Sequence, residues 1–277
     1  MLQLGKRQTL IVERMVDFGA YLRDEERTGE VLLPKKEVPE GIRTGDPLEV
    51  FLYLDSKDRR IATVRESALT LGGFAVLTVK DVNRVGAFLD WGLEKDLLLP
   101  FHEQTRRVKP GEEVLAALYI DKSGRLCATM NVYPYLFQNS PYQIGDMVKA
   151  RIYEISENFG VFAAVDDRYS ALIPRQEAAG DYYIGDVIDA RVTAVKEDGR
   201  LNLSSRKKAY LQMEEDAQLV LRVIDEFDGV LPFSDKTTPE VIRREFGLSK
   251  NAFKRAVGHL LKEGKIRLGE NRIFREP

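Results

Sequence analysis

Apolar and polar side chains alternate along several short segments of this chain. Val148, Ala150 and Ile152 occupy every second position of one segment, and residues 187–195 show much the same pattern. Successive side chains of a β-strand point to opposite faces, so this period of two predicts half-buried strands. Short strands separated by glycine turns are typical of a small closed barrel, which leaves no strand edge exposed.

Four landmarks recur three times in the same order: an aromatic-glycine element, an apolar run closed by proline, a glycine-acid turn and a hairpin containing arginine. The prolines and the glycine-acid turns are separated by the same two offsets, 66 and 74 residues. Shared spacing of independent landmarks indicates three repeats, each long enough for a five-stranded barrel. These landmarks are Pro34, Pro100, Pro174, Gly45-Asp46, Gly111-Glu112 and Gly185-Asp186.

The aromatic-glycine element of the third repeat contains Phe159, Gly160 and Phe162. Residues three apart point to opposite faces of a flat strand, but glycine permits a bulge that shifts the alternation by one. We therefore predict that both rings face the same side and form a platform on which bases stack. The alternative is that one ring belongs to the barrel core and the other covers a barrel end.

The other two repeats differ in this element. The first has a complete pair, Phe18 and Tyr21. In the second, Val85 replaces the first ring and only Phe88 remains, so we rank the repeats third, first, second as RNA-binding surfaces. Basic side chains around the third element are candidates for phosphate contacts. The candidate RNA-binding residues of the barrels are Phe18, Tyr21, Phe88, Lys149, Arg151, Phe159, Phe162 and Arg200.

The repeats resemble S1-type RNA-binding domains of the OB fold, whose pattern includes Phe-Gly-x-Phe, Gly-Asp and a closing Arg-Ile-x-Leu-Ser. The third repeat matches best and closes with residues 200–204, Arg-Leu-Asn-Leu-Ser. The resemblance implies that the two aromatics, a histidine and the closing basic residue contact RNA. Pro34, Pro100 and Pro174 stand where the family has its histidine, so that contact is missing from each repeat.

The pattern changes to helical periodicity after residue 208. Thr238 with Pro239 and, further on, Ser249 are typical of helix N-termini. The elements follow the order of a winged helix: two helices, a short turn, a third helix and a hairpin. In DNA-binding members, the helix after the turn enters a major groove. The predicted elements are helices over 216–227, 239–247 and 250–263 and strands over 265–268 and 272–274.

The last predicted helix and the strand after it carry an excess of positive charge. Residues 250–268 contain six basic side chains and a single acid, Glu263. Such a local excess suits a phosphate backbone, although a solvated helix face or a protein-docking surface explains it equally well. The stripe predicted to face the core is Phe253, Val257, Leu260 and Leu261. The candidate nucleic-acid contacts are Lys250, Lys254, Arg255, Lys262, Lys265 and Arg267.

The three barrels and the terminal winged helix together resemble the conserved virulence factor B family of bacterial proteins. Residues 248–256 and 264–266 match the family closely, and the resemblance covers nearly the full length. It implies an RNA-binding protein that influences gene expression, has no catalytic site and has an unspecified target RNA.

Composition adds constraints on function and location. The formal net charge is −2, so any nucleic-acid surface must be local. No Walker or Rossmann glycine loop and no Cys or His pair with zinc spacing occurs. The single cysteine, Cys127, is expected to be a buried structural thiol in a reducing compartment. We expect a cytoplasmic protein without catalytic residues, cofactor, metal or membrane contact.

We therefore expect a mainly β chain with a C-terminal α/β module. The favoured function is binding of single-stranded RNA, as a post-transcriptional regulator. A DNA-binding transcription regulator led by the winged helix and a ribosome- or protein-binding adaptor remain as alternatives. The aromatic segment 131–143 is predicted to dock two barrels rather than to form a free linker. The expected domains are S1/OB-type barrels over 1–66, 67–140 and 141–208 and a winged-helix domain over 209–277.

Overall fold

The chain forms two compact units, Met1–Ser205 and Arg206–Pro277. The first unit contains three barrel-like sheets and the second a winged helix, which confirms the predicted fold class. The expected domain boundaries stay predictions, and the one at residue 208 lies outside the described residues. This computed structural model describes residues 2–178, 181–205, 209–234 and 236–276.

The first barrel is closed and has the strand order β1-β2-β3-β5-β4. Its interior is filled by alternate side chains of these strands, among them Leu10, Leu22 and Leu33. The strands are β1 (Arg7–Val16), β2 (Gly19–Arg23), β3 (Glu30–Pro34), β4 (Pro47–Leu54) and β5 (Arg60–Thr63).

The second barrel repeats this order as a five-stranded sheet, β10-β9-β6-β7-β8. Its end strands lie side by side without a hydrogen-bonded ladder between them in the described structure, so it is less completely closed than its neighbours. The strands are β6 (Phe74–Val82), β7 (Gly86–Asp90), β8 (Leu97–Pro100), β9 (Glu113–Ile120) and β10 (Leu126–Thr129).

The third barrel is closed again, with the order β11-β12-β13-β15-β14. Val161 and Ala163 of its second strand point into the core. The strands are β11 (Met147–Ser156), β12 (Gly160–Val165), β13 (Tyr169–Pro174), β14 (Val187–Val195) and β15 (Leu201–Ser204).

The three repeats agree down to the pairing of single residues. In each, the glycine that opens the second strand pairs with the proline that ends the third, and the first strand contains one register shift at the same point. The repeats are therefore confirmed as copies of one unit. The pairs are Gly19–Pro34, Gly86–Pro100 and Gly160–Pro174, and the shifts fall at Val12/Arg14, Val79/Asp81 and Ile152/Glu154.

Buried apolar side chains join neighbouring barrels within the first unit. Phe51 and Tyr53 of β4 pack edge-on against Trp91 at ring-centroid distances of 5.8 and 6.4 Å, in the core cluster of the second barrel. Val132 and Leu136 lie in a smaller cluster with residues of β9, β11 and β12. The prediction that segment 131–143 docks two barrels is thus confirmed.

The winged helix follows the predicted order of helices, with one additional short strand, β16. Its sheet has the order β16-β18-β17. The first helix begins earlier than its apolar periodicity indicated, at Ala209 rather than residue 216. The elements are α1 (Ala209–Glu226), β16 (Val230–Leu231), α2 (Pro239–Phe246), α3 (Lys250–Lys262), β17 (Ile266–Leu268) and β18 (Ile273–Arg275).

Helix α3 begins where the sequence predicted. The Ser249 hydroxyl accepts a hydrogen bond from the Ala252 backbone N–H at 3.2 Å, which satisfies one of the unpaired donors of the first turn. Phe253 and Val257 are buried as predicted, but Leu261 is exposed and Ala256 faces the core instead. At 100° per residue, Leu261 lies about 80° around the helix from Phe253, at the edge of the buried face, whereas Ala256 lies about 60° from Phe253 on the other side and falls within that face.

Candidate nucleic-acid interface

The aromatic-glycine element of the third barrel lies where β11 turns into β12. Gly160 has φ +118° and lies against β13, where a Cβ would overlap the carbonyl oxygen of Ile173. The predicted bulge at Gly160 is wrong, because the register shift is in β11 instead. Glycine is needed here for close backbone approach, and Phe159 precedes the strand and escapes its alternation.

Both rings of this element lie on the outer surface of the barrel. Phe159 is 64% exposed, and Phe162 is half-buried. Their ring centroids are 6.4 Å apart with an interplanar angle of 63°. The core positions beside them belong to Val161 and Ala163, so neither ring fills the barrel interior.

Tyr133 extends this aromatic pair from outside the barrel. Its ring lies 6.3 Å from that of Phe162 at an interplanar angle of 73°, and it is 39% exposed. Phe162 also contacts the buried ring of Tyr153, at a centroid distance of 6.3 Å. The sequence indicated that the segment around Tyr133 docks barrels, but not that this ring reaches the aromatic pair.

Arg200 lies beside Tyr133. Its guanidinium donates a hydrogen bond to the Tyr133 hydroxyl at 2.6 Å and forms an ion pair with Asp198, also at 2.6 Å. The hydrogen bond to the Asp198 carboxylate and the charge nearby raise the pKa of Arg200. The predicted basic residue is therefore beside the aromatic pair, connected to it through Tyr133.

The other two predicted cations of the third barrel are placed less favourably. Arg151 forms two hydrogen bonds with Asp167, at 2.7 and 3.3 Å, and only 13% of its side chain is exposed. Lys149 is exposed and 3.4 Å from Asp189. It precedes Glu154, the residue opposite Phe162, by five positions along β11, or roughly 16 Å. Lys149 is therefore distant from the aromatic pair, and the Arg151 guanidinium is already hydrogen-bonded to Asp167.

A further cation next to Phe159 was missed in the sequence. The Arg175 N–H donates to the Phe159 carbonyl at 3.3 Å, and its guanidinium donates to the Glu157 carbonyl at 3.2 Å. Lys35 has the same place in the first barrel, where its N–H donates to the Phe18 carbonyl at 2.9 Å. Both cations follow directly after the closing proline, next to the position at which the S1 family has its histidine, and this place in the sequence could have identified them.

The first barrel carries a similar pair with different surroundings. Phe18 is 58% exposed and its ring is 6.3 Å from that of Tyr21. The guanidinium of Arg14 lies over the Tyr21 ring, 4.1 Å from its centroid. Two hydrogen bonds, of 2.8 and 2.7 Å, hold Arg14 to Glu30. One ring of this pair is therefore already stacked on a cation.

The second barrel lacks an aromatic pair. Val85 is exposed, and Phe88 is half-buried at a cavity of about 190 Å³ that Trp91 also lines. Trp91 offers no substitute platform, because it is only 3% exposed. Its indole N–H donates to the Lys95 carbonyl at 2.7 Å, and its ring packs against the first barrel.

The cations of the winged helix differ in exposure and in pairing. Lys254, Arg255 and Lys262 are exposed on α3, and no ion pair to them is found in the described part of the chain. Lys250 is half-buried at the start of the helix. The remaining two are paired with acids, Lys265 with Glu263 at 3.0 Å and Arg267 with Glu276 at 2.9 Å.

The described residues also bear on other kinds of site. No group of three or more potential metal ligands occurs among the described residues. Cys127 is buried, and burial raises the pKa of its thiol to about 11, which disfavours the reactive thiolate. No described helix has the length and apolar character needed to cross a membrane.

Comparison with known proteins assigns the class. The S1 domain model matches residues 4–65 and 71–131, and the model of the CvfB-like winged helix domain matches residues 218–274. A solved multidomain protein with nucleic acid binding domains from Streptococcus pneumoniae aligns over 99% of this chain and 98% of its own, with a TM-score of 0.52 and 24% identity. Fold and matched domains define a nucleic-acid-binding protein with S1-type barrels and a winged helix.

Curated relatives narrow this class to one family. Protein YitL of Bacillus subtilis (strain 168) is 33% identical over 95% of this chain and 90% of its own length. Conserved virulence factor B of Staphylococcus aureus (strain N315) is 28% identical over 84% and 80%, respectively. This chain belongs to the conserved virulence factor B family.

Proposed function

We propose that this protein binds single-stranded RNA on the outer surface of its third barrel. The observation that carries the proposal is the neighbouring pair of outward rings, Phe159 and Phe162. Aromatic side chains on a barrel face bind single strands because every base has a π-face to stack. Arg175 and Arg200 supply positive charge near the rings for the phosphates.

The proposed role is that of a non-enzymatic, post-transcriptional regulator in the cytoplasm. Stacking with few base-edge contacts gives affinity with little sequence preference, which suits a protein acting on several RNAs. The single buried thiol is compatible with a reducing compartment. The exposed cations of α3, for which the described residues show no ion pair, support a second contribution, from winged-helix contacts with phosphates of either single-stranded or duplex nucleic acid.

A double variant, Phe159→Ala with Phe162→Ala, tests the proposal. RNA affinity should fall by about 1–3 kcal/mol for each lost stack, while the fold stays intact. The measurement is fluorescence anisotropy with a labelled single-stranded RNA, alongside thermal unfolding. Tyr183→Ala is the control, because Tyr183 is an equally exposed ring of the same barrel without a ring contact in the described structure. Unchanged affinity in the folded double variant contradicts the stacking site.

Competition separates the proposed function from its two alternatives. Single-stranded RNA, single-stranded DNA and duplex DNA are compared at two salt concentrations. Preference for duplex DNA would support a transcription regulator led by the winged helix. Poor binding of all three would support a ribosome- or protein-binding adaptor, and preference for single-stranded RNA supports the function proposed here.

A further inference from the structure

The segment between the second and third barrels presents one ring on the surface while anchoring itself on both sides. Val132 and Leu136 are buried in a cluster that contains Leu115 of the second barrel and Ala164 of the third. Tyr133 follows directly after the first of these anchors. Because both neighbouring barrels hold the segment, the position of Tyr133 is set by the packing between barrels.

Two contacts orient the Tyr133 side chain toward the proposed RNA site. Its ring lies edge-on to Phe162, with centroids 6.3 Å apart, and its hydroxyl accepts the 2.6 Å hydrogen bond from Arg200. Arg200 is fixed in turn by Asp198. A tyrosine that were only a core residue would be buried like Tyr153, whereas Tyr133 keeps 39% of its surface exposed.

The three rings are joined by two successive contacts of nearly equal length, and this series is called the row. Phe159 and Phe162 are 6.4 Å apart, and Phe162 and Tyr133 are 6.3 Å apart. Successive rings along a surface suit successive bases of one strand. Arg200 at the end of the row adds a cation where the backbone of that strand would continue.

We propose that Tyr133 is a third stacking ring of the RNA site, held in place by Arg200 as a positioning residue. The site is then composite: two rings come from the third barrel and one from the segment that the second barrel anchors. This inference rests on the proposed function of the third barrel. It makes the second barrel, which lacks an aromatic pair of its own, necessary for full affinity.

Single substitutions in the full-length protein test the contribution of this ring. Tyr133→Ala should weaken binding of single-stranded RNA by about 5- to 150-fold, the equivalent of one lost base stack. Tyr133→Phe keeps the ring and loses only the hydrogen bond from Arg200, so its loss should be several times smaller. Tyr183→Ala, at an exposed ring outside the row, should leave affinity unchanged.

Photo-crosslinking separates contact from a merely structural role. RNA with 5-iodouridine should crosslink to the peptide containing Tyr133 in the unmodified protein, because this base analogue reacts with rings stacked on it. Absence of such an adduct, or a Tyr133→Ala affinity equal to that of Tyr183→Ala, overturns the inference. If Phe159→Ala weakens binding in the same experiment, the proposed function survives that outcome. If the unmodified protein binds no RNA, both proposals fail.

Discussion

The first and third barrels carry an aromatic pair at the same register, but the two pairs have different neighbours. Phe18 and Phe159 have similar exposure, and the ring-centroid distances within the pairs, 6.3 and 6.4 Å, are nearly equal. The difference lies on the neighbouring strand. Arg14 is the cross-strand partner of Tyr21, whereas Glu154 is the cross-strand partner of Phe162.

This difference in cross-strand partner decides what occupies the ring surface. In the first barrel the Arg14 guanidinium lies over Tyr21, and Glu30 holds it there through two hydrogen bonds. A base stacking on that face has to displace the cation, which an arginine–ring contact resists. In the third barrel the neighbours of Phe162 are the rings of Phe159, Tyr133 and Tyr153. The aromatic-glycine element therefore sets the geometry of the aromatic pair, and the cross-strand residue decides whether the second ring is free to stack on a base.

Beyond the double variant of the third barrel, the largest expected effect comes from the winged helix, which tests whether the barrels alone account for RNA binding. Lys250, Lys254 and Lys262 changed together to Gln should lower the slope of log affinity against log salt by roughly 0.7 to 0.9 per lost phosphate contact. Three such contacts correspond to roughly 100-fold in affinity at 0.1 M salt, about equally for all sequences. Anisotropy titrations at several salt concentrations measure both quantities.

The matched control for the winged helix removes the same charge elsewhere. Lys6, Lys57 and Lys122 are exposed lysines of the first two barrels, and their triple Gln variant should alter the slope little. If the α3 variant keeps the affinity and slope of the unmodified protein, the winged helix does not touch nucleic acid. The domain would then be a protein-docking module, and the barrels alone would account for RNA binding.

The second-largest effect compares the barrels directly. Phe159→Ala should cost about 1–3 kcal/mol of RNA affinity, and Phe18→Ala should cost less, because the ring beside Phe18 is already covered. The two substitutions remove the same side chain at corresponding positions, so each serves as the control of the other. Equal losses in a binding titration would mean that Arg14 does not limit access to the first pair.

Local sequence signals predicted most of the fold. The repeated prolines and glycine-acid turns predicted three barrels because they fix the same strand pairing each time. Ser249 predicted the start of α3 because a side-chain cap acts within one turn. These features depend on residues close together in the chain, which a sequence pattern displays.

Contacts between distant segments were harder to predict. The sequence gives no sign that Arg151 is paired, because its partner Asp167 is 16 positions further along the chain. It also gives no sign that Trp91 is buried, because the first barrel packs against that ring. Tyr133 reaches Phe162 only through packing between barrels. Each of these depends on which surfaces of the repeats meet, and a pattern within one repeat carries no information about that.

A smaller effect separates the first barrel from the second. Phe18→Ala should weaken RNA binding more than Phe88→Ala, by a few-fold, because Phe18 protrudes beside a second ring and Phe88 is half-buried without a ring contact in the described structure. Both variants are compared in anisotropy titrations at one salt concentration. The reverse order would show that the surface around Phe88 is the more important contact, and the ranking of the barrels would change.

The smallest expected effect is a gain of binding in the first barrel when Arg14 is released. The hydrogen bond from Arg14 lowers the pKa of Glu30, so the pair is complete above the ordinary range of a glutamate and is lost only as the pH falls through the lowered value. At neutral pH a substitution is therefore needed to break the ion pair between Arg14 and Glu30.

Glu30→Gln is tested in a Phe159→Ala background, which reduces the contribution of the third barrel. It should raise RNA affinity about two- to fivefold, since exposed ion pairs are weak. Glu25→Gln removes the same charge from the nearby loop without touching this pair, so it corrects for the general loss of repulsion toward phosphate. A gain in Glu30→Gln no larger than that in Glu25→Gln would show that Arg14 does not block Tyr21, and another feature of the first barrel would have to explain its rank below the third.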